Sequence, residues 1–405
     1  MGRIARLICV TSDNNNKYYN MEEHADGSFT CHWGRVDVTD NVTTYPSSKG
    51  FDRQLQSKVK KGYKDVTSLR VIAAATSAFA SLGTDEISRL VEELQRYAKQ
   101  SVQQNYTVSS EAVTQRQVEE AQRTIDDIIP LIKRGTKTEI INQLLLELYK
   151  IIPRRMGNVR DHLIEFPIIS SSKNQDAVDH LIANEQATLD VLQGQVQVNT
   201  VQQAQTQTNQ QTILQAMGIE IFQTQPSDVD MIKKLLGGCS NQYRRSFIVV
   251  NKKTQAAFDK FVAKAKEQRR RLFWHGSRNE NWWSIISSGL VLRPSNAVIT
   301  GKYFGYGIYF ADKARKSIGY CSLQGSYWAR GSSNKGFLSL YDVHVGNSFR
   351  IKHHEQWCFD LTESKLKARG QYDSLFAEGG ADLRNNEYIV YNENQSTIKY
   401  LVEIS

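Results

Sequence analysis

The chain has 405 residues, 40% hydrophobic and 23% charged, which supports packed cores and excludes disorder throughout. Two or three domains are expected at this length. A net charge of +9 favours an anionic partner or ligand, and five scattered cysteines without a CxxC pair exclude a zinc ribbon and suit a reducing compartment. The first stretch and the last two hundred residues carry the basic surplus, and the middle is slightly acidic. The N-terminal apolar run is too short for a secretory signal, and Val71–Gly83 is too short and too interrupted to span a bilayer. A soluble intracellular monomer with no membrane or metal partner is the expectation.

Residues 1–64 read as a small sheet with one helix. RLICV and the alternating SFTCHWGRVDV are strands, with DNNN and DGS as turns. FDRQLQSKVKKGY has helical spacing and ends at Gly62 with a basic tail. Residues 65–200 carry helical stripes. Ile87, Leu90, Val91, Leu94 and Tyr97 make the first, and Val118, Ala121, Ile125, Ile128 and Ile129 a second, expected to stop at Pro130. Ile140 to Ile152 make a third, stopped by Pro153, and a further helix is expected over Asp176–Leu192. These faces need partners, so a bundle follows. The Gln-rich stretch 193–212 reads first as a linker, with a polar extension of the preceding helix as the alternative.

From residue 213 the texture changes. FIVVN, GIYFA, FLSLYDVHVG, EYIVYN and IKYLVEI are β-rich, KARKSIGYC reads as a helix, and the last two runs look like strands joined by a polar turn. The expected class is α+β with antiparallel sheets. His275 and Gly276 follow an apolar strand, Tyr309 sits in a strand opened by glycines, Ser317 and Tyr320 are a helical turn apart, and Glu387 heads a strand. Taken singly, each has an ordinary loop, core or surface explanation.

Taken together, LFWHGSRNENWWSIISSGL, TGKYFGYGIYFADKARKSIGYC and NNEYIVYNENQSTIKYLVEI resemble the three blocks of the poly(ADP-ribose) polymerase catalytic domain, in the family's order, from about Leu214 onward. The resemblance implies a diphtheria-toxin-like ADP-ribosyltransferase fold with a His275–Tyr309–Glu387 triad. It implies that Gly276 pairs its backbone with the nicotinamide carboxamide and that Ser317 donates to the same group. Tyr320 and Tyr309 would flank the ring, and His275 would hold the adenosine-side ribose. Ser277, Phe310, Ala311, Lys316 and Arg293 complete the implied NAD+ contacts. Cleaving the nicotinamide–ribose bond builds oxocarbenium-like charge, which a buried carboxylate stabilises; Glu387 is the candidate. No GxGxxG fingerprint follows a strand, so NAD+ is expected as a substrate, with no resident cofactor.

SFTCHWGRVDV with the basic helix after it resembles the WGR domain, which implies contact with DNA strand breaks through Trp33 and Arg35. Arg35 could instead face the helical segment and pass a signal to it. Lys58, Lys60, Lys61 and Lys64 are phosphate-contact candidates. VTQRQVEEAQRTIDDIIPLI and INQLLLELYKIIPRRMG resemble, loosely, the family's helical regulatory domain, implying an autoinhibitory bundle over the NAD+ site. Asn184 and Glu185 are the guessed residues facing that site. The expected domains are 1–75, WGR; 76–205, helical regulatory; and 206–405, catalytic.

The sequence departs from the family's pattern in places. Val291 stands where an Arg is usual, with Arg293 two residues on, and Lys302 replaces an aromatic. SLQGSYWARGSSNKGF is lengthened, and 352–386 is short of the usual acceptor loop. With no zinc finger ahead of it, the WGR segment is expected to supply most DNA contacts. The expected function is DNA-break-activated protein ADP-ribosylation with chain extension, acceptors including the enzyme itself, in the nucleus of a eukaryote or otherwise the cytoplasm. Mono-ADP-ribosyl transfer and a degenerate DNA-end-binding protein stay open as alternatives.

Overall fold

The computed structural model describes residues 2–69, 79–80, 82–165, 172–204, 211–293 and 303–405. The chain groups into two compact units. The first holds 1–75 with 101–199, and the second 76–100 with 200–405. The domain boundaries expected at 75/76 and 205/206 lie outside the described residues.

In the first unit, β1 (Ile4–Thr11), β2 (Asn15–Glu23), β3 (Phe29–Arg35) and β4 (Asn41–Tyr45) form an antiparallel meander. After α1 (Phe51–Lys60), the short β5 (Lys64–Asp65) closes onto β1, giving the order β4-β3-β2-β1-β5. The expected turns are present. Asn14 takes a left-handed φ of 61° between β1 and β2, and Asp26 Oδ1 accepts from the Ser28 amide at 3.0 Å in the next turn. Alternation buries Leu7, Tyr19, Met21, Phe29 and Cys31 against Phe51 of α1.

Four helices follow: α2 (Glu86–Asn105), α3 (Gln115–Lys133), α4 (Thr138–Ile151) and α5 (Ser172–Ala204). Thr114 and Gln117 form a capping box that starts α3. The buried residues of α3 and α4 include most of the predicted stripes. Two expectations are corrected here. Pro130 does not stop α3, which runs on to Lys133. A proline so close to the end removes few helical bonds, and its carbonyl still accepts from Arg134 N at 3.1 Å. The Gln-rich stretch is not a linker from 193 to 204 but the end of α5, since glutamine is a good helix former. Residues 205–210 lie outside the described ones.

The second unit contains α6 (Ile213–Met217), β6 (Ile219–Gln223), α7 (Pro226–Leu236), β7 (Tyr243–Asn251), α8 (Lys252–Lys264), β8 (Arg270–Gly276) and α9 (Trp282–Ser288). It continues with β9 (Ile308–Phe310), α10 (Ala314–Ile318), β10 (Gly336–His344), β11 (Ser348–Ile351), α11 (Glu363–Ala368), β12 (Ser374–Ala377), β13 (Glu387–Val390) and β14 (Ser396–Ile404). The strands make two sheets, ordered β6-β7-β14-β10-β8 and β11-β12-β13-β9. All pairings are antiparallel except β11 with β12. Strand β10 is buried at every position. The expected final hairpin is corrected: β13 and β14 are strands, but the turn between them sends them into different sheets.

Two cores follow from this layout. Trp274, Leu338, Leu340, Val402 and Ile404 pack with Ile232 and Leu236 of α7. Leu361, Leu375, Ile389 and Tyr391 form the other. Part of α2 is tied in by charge: Glu93 meets Arg245 at 3.5 Å and Lys335 at 3.0 Å, and Glu403 meets the same two at 2.7 and 3.5 Å. All five cysteines are free. Among the described residues, no helix is long and apolar enough to cross a membrane.

Candidate active site

The two sheets of the second unit are joined where β8 meets β9. Trp274 N donates to Ala311 O at 2.8 Å, and Ala311 N returns a bond at 3.0 Å. One residue on, His275 Nδ1 lies 3.3 Å from Tyr309 O. In an antiparallel strand, alternate residues direct their N–H and C=O to the same side. Gly276 therefore presents its amide and carbonyl to the side on which Trp274 is bonded, just where β9 departs to join the other sheet. The glycine is required by packing, because a Cβ there would run into the Ser317 carbonyl of α10.

Strand β13 lies on the other side of β9, with Ile389 opposite Tyr309. Glu387 is two residues before Ile389 and so shares that face with Tyr309. His275, Tyr309 and Glu387 thus come from three consecutive neighbouring strands, though they are far apart in sequence. Glu387 is 6% exposed. Its Oε1 is ion-paired with Lys316 Nζ, and its Oε2 is buried with no hydrogen-bond partner among the described residues. Burial pushes the Lys316 ammonium down to about 8, with Asp312 opposing the shift. Burial also pushes the Tyr309 hydroxyl well up, and it donates to Gly305 O at 3.1 Å.

The other expected residues fall into three groups. Ser317 is buried on α10 beside Gly276, and Tyr320 follows that helix, 42% exposed, with its amide on Ser317 O at 3.1 Å. Ser277, Phe310 and Ala311 have structural work: Ser277 Oγ accepts from Asn281, Phe310 is in the core beside His275, and Ala311 makes the bridge to Trp274. Arg293 is half-buried at the edge of the described segment, and Lys302 lies outside the described residues. Sequence reasoning missed Asp312 and Asn386. Asn386 Nδ2 donates to Asp312 Oδ2 at 2.7 Å, tying the end of β9 to the start of β13 and fixing where Glu387 emerges. Their flanking of predicted strand ends was the available signal.

Residues 227–405 match the poly(ADP-ribose) polymerase catalytic domain. The poly(ADP-ribose) polymerase-like protein 100L of invertebrate iridescent virus 6 is 32% identical over 44% of this chain and 91% of its own length. The chain belongs to the poly(ADP-ribose) polymerase family. Poly(ADP-ribose) polymerase 2-A of Oryza sativa subsp. japonica is 24% identical over 97% of this chain and 68% of its own length. Poly(ADP-ribose) polymerase 2 of Homo sapiens is 33% identical over 33% of this chain and 26% of its own length. The protein is an NAD+-dependent ADP-ribosyltransferase.

The N-terminal candidates are separately placed in the first unit. Trp33 is 40% exposed, its indole N–H on Thr43 Oγ1 at 3.2 Å. A Cβ at Gly34 would strike the Thr39 carbonyl, so the end of β3 needs its glycine. Arg35 is bonded to Asn14 and to Gly157 O at 2.8 Å, which meets the alternative that it faces the helical segment. Lys58 Nζ sits 3.7 Å from the centroid of the Tyr19 ring, Lys60 and Lys61 are exposed, and Lys64 reaches toward Glu120 and Glu147. Glu185, guessed to face the NAD+ site, is buried within the first unit in an ion pair with Arg154 at 2.6 Å, because a buried carboxylate needs a partner. Asn184 beside it is exposed.

Proposed function

We propose that the protein modifies protein side chains, its own included, with ADP-ribose from NAD+, extends the product into chains, and is switched on by DNA strand breaks. The observation that carries this reading is the buried carboxylate of Glu387, with one oxygen held by Lys316 and the other buried without a hydrogen-bond partner among the described residues, on the face it shares with Tyr309. The Gly276 backbone and Ser317 take the nicotinamide carboxamide, and Tyr309 and Tyr320 bracket the ring. His275 holds the adenosine-side ribose. Glu387 Oε2 accepts from the 2′-hydroxyl of the nicotinamide ribose. Its charge stabilises the developing oxocarbenium, and it can orient an acceptor hydroxyl. Lys316 holds the other oxygen of Glu387 in an ion pair.

Lys316 gives this reading a pH signature. Its ammonium is charged below about pH 8 and neutral above it. Transfer is expected to decline on the alkaline side of that value. Lys316→Arg, whose guanidinium stays charged, should remove that decline. A wild-type profile flat across the range would show that the lysine charge plays no part.

Residues 1–75 act as a WGR domain, and the helices restrain the transferase until DNA loosens them. Support comes from the bonds that tie the sheet to helix-flanking residues: Arg35 to Gly157 O, Asn14 Oδ1 to Val159 N at 2.9 Å, and Asn16 Nδ2 to Arg154 O at 3.0 Å. A break that engages Trp33 thereby pulls on the segment carrying Arg154. A role in the DNA damage response follows, in the nucleus where the host is eukaryotic. The decisive experiment incubates the full chain with labelled NAD+, with and without nicked DNA. DNA-dependent ladders are expected; a single shifted band means mono-transfer, and no label means no transferase. Trp33→Ala should lower the DNA stimulation several-fold and leave basal transfer unchanged. Equal stimulation in the variant removes this module from the switch.

A further inference from the structure

Between Asp312 and Asp342 the sequence holds no acidic residue, five lysines and arginines, and the aromatic run Tyr320, Tyr327 and Trp328. Two of the cations are engaged: Lys316 with Glu387, and Lys335 with Glu93 and Glu403. Lys313, Arg315 and Arg330 are exposed and have no ion-pair partner among the described residues. The three aromatic rings are exposed as well, Tyr320 by 42%, Trp328 by 53% and Tyr327 by 77%.

The loop that carries them is built rather than slack. The amides of Trp328 and Ala329 both donate to Gly319 O, at 2.8 and 2.9 Å. Ser326 Oγ accepts from Gly331 N at 2.8 Å, and backbone bridges join Leu323 with Ser333 and Gln324 with Gly331. The result is an ordered array. The Trp328 ring lies nearly parallel to Tyr320, 16° between planes and 6.1 Å between centroids, and Tyr327 stands edge-on to Trp328 at 4.7 Å. Holding large aromatic faces in water without burying them is unfavourable unless something stacks on them.

We propose that Tyr327 and Trp328, with Arg315 and Arg330, form a stacking site for the bases of a single-stranded nucleic acid. Aromatic platforms flanked by unpaired cations are the chemistry that single strands require: rings for the base faces, guanidinium groups for the phosphates. An acidic peptide would use the cations and leave the rings idle. An ADP-ribose chain is less suited, because two riboses and a pyrophosphate separate its successive adenines, whereas the rings of Tyr327 and Trp328 stand edge-on with centroids 4.7 Å apart, an arrangement that consecutive bases splayed from a flexible single strand can meet. The site adjoins Tyr320, so a bound strand would end beside the transferase pocket.

The test uses the full chain without NAD+, so its outcome does not depend on the transfer chemistry. A dye-labelled oligothymidylate of about 12 nucleotides, with one 5-iodouracil, is bound and photo-cross-linked. Cross-links are expected within residues 320–330. Tyr327→Ala/Trp328→Ala should weaken binding by about ten-fold or more in fluorescence anisotropy, and Trp328→Phe should retain most of it. Arg330→Glu should weaken binding and flatten its salt dependence. If the double variant does not fold by circular dichroism, the cross-link map and Arg330→Glu decide. Cross-links confined to other segments, such as the N-terminal sheet, would overturn the proposal. So would unchanged affinity in the folded double variant, or ADP-ribose oligomers that bind the site more tightly than the oligothymidylate.

Discussion

Glu387→Gln is expected to lower ADP-ribosyl transfer by about 10²–10³-fold while leaving NAD+ affinity within a few-fold of wild type. The substitution keeps the shape and one acceptor oxygen, so ground-state contacts to a ribose hydroxyl survive. It removes the negative charge, and only the transition state, with its cationic ribose carbon, needs that charge. The effect is large because the carboxylate is almost fully buried, where little water screens the interaction. Lys316 would then be left in the site without its anion and would lose its proton more easily. Glu387→Asp separates charge from reach: it keeps the anion but withdraws it by one methylene, so transfer should fall less than in the Gln variant. Single-turnover rates with labelled NAD+, set against calorimetric affinity for NAD+, give the two quantities. Equal loss of rate and affinity would make Glu387 a binding residue and remove it from the chemical step.

How far the sequence alone reached depended on range. Strands such as FLSLYDVHVG and the stripes of α3 and α4 were legible because alternation and the 3.6 period are written locally. The extent of α5 was not, because a glutamine-rich stretch lacks the apolar stripe that marks a helix, yet glutamine tolerates one well. Pro130 misled for the opposite reason: its local rule is strong in mid-helix and weak in a last turn. The pairing of β13 with β9 and β12 rather than β14 is a tertiary choice that no turn signal between residues 391 and 395 encodes. His275, Tyr309 and Glu387 could be singled out only because their blocks resemble a family. What the blocks did not contain, the Asp312–Asn386 tie and the Lys316 ion pair, depends on which strands end beside each other.

Glu185→Gln is expected to destabilise the first unit by about 3–5 kcal/mol, because it strands the charge of Arg154 in the interior. Arg154 and Glu185 are only 5% and 3% exposed. Arg154 Nη1 lies 2.6 Å from Glu185 Oε2, and the guanidinium sits against the rings of Tyr106 and Tyr149. Burial opposes ionisation of Glu185, but Arg154, aided by His162 and Tyr149, more than offsets it and holds the carboxyl below its ordinary range. The stabilisation is therefore present above the unfolded carboxyl's pKa and is lost as pH falls through the lower folded one. Urea titration followed by helical circular dichroism should show the unfolding midpoint of the variant shifted down, with the gap to wild type closing in acid. Replacing both partners, Arg154→Met with Glu185→Leu, should recover most of the loss, since neither charge then needs a partner. An unchanged midpoint in the single variant would mean that water reaches the pair. If the helices also restrain the transferase, the same Glu185→Gln variant should raise transfer without DNA. The pair sits next to the Asn16 contact by which the N-terminal sheet grips the Arg154 backbone. Loosening it from inside would then mimic the proposed effect of a DNA end from outside, and a destabilised variant with unchanged basal transfer would separate the stability of the bundle from its proposed control of the enzyme.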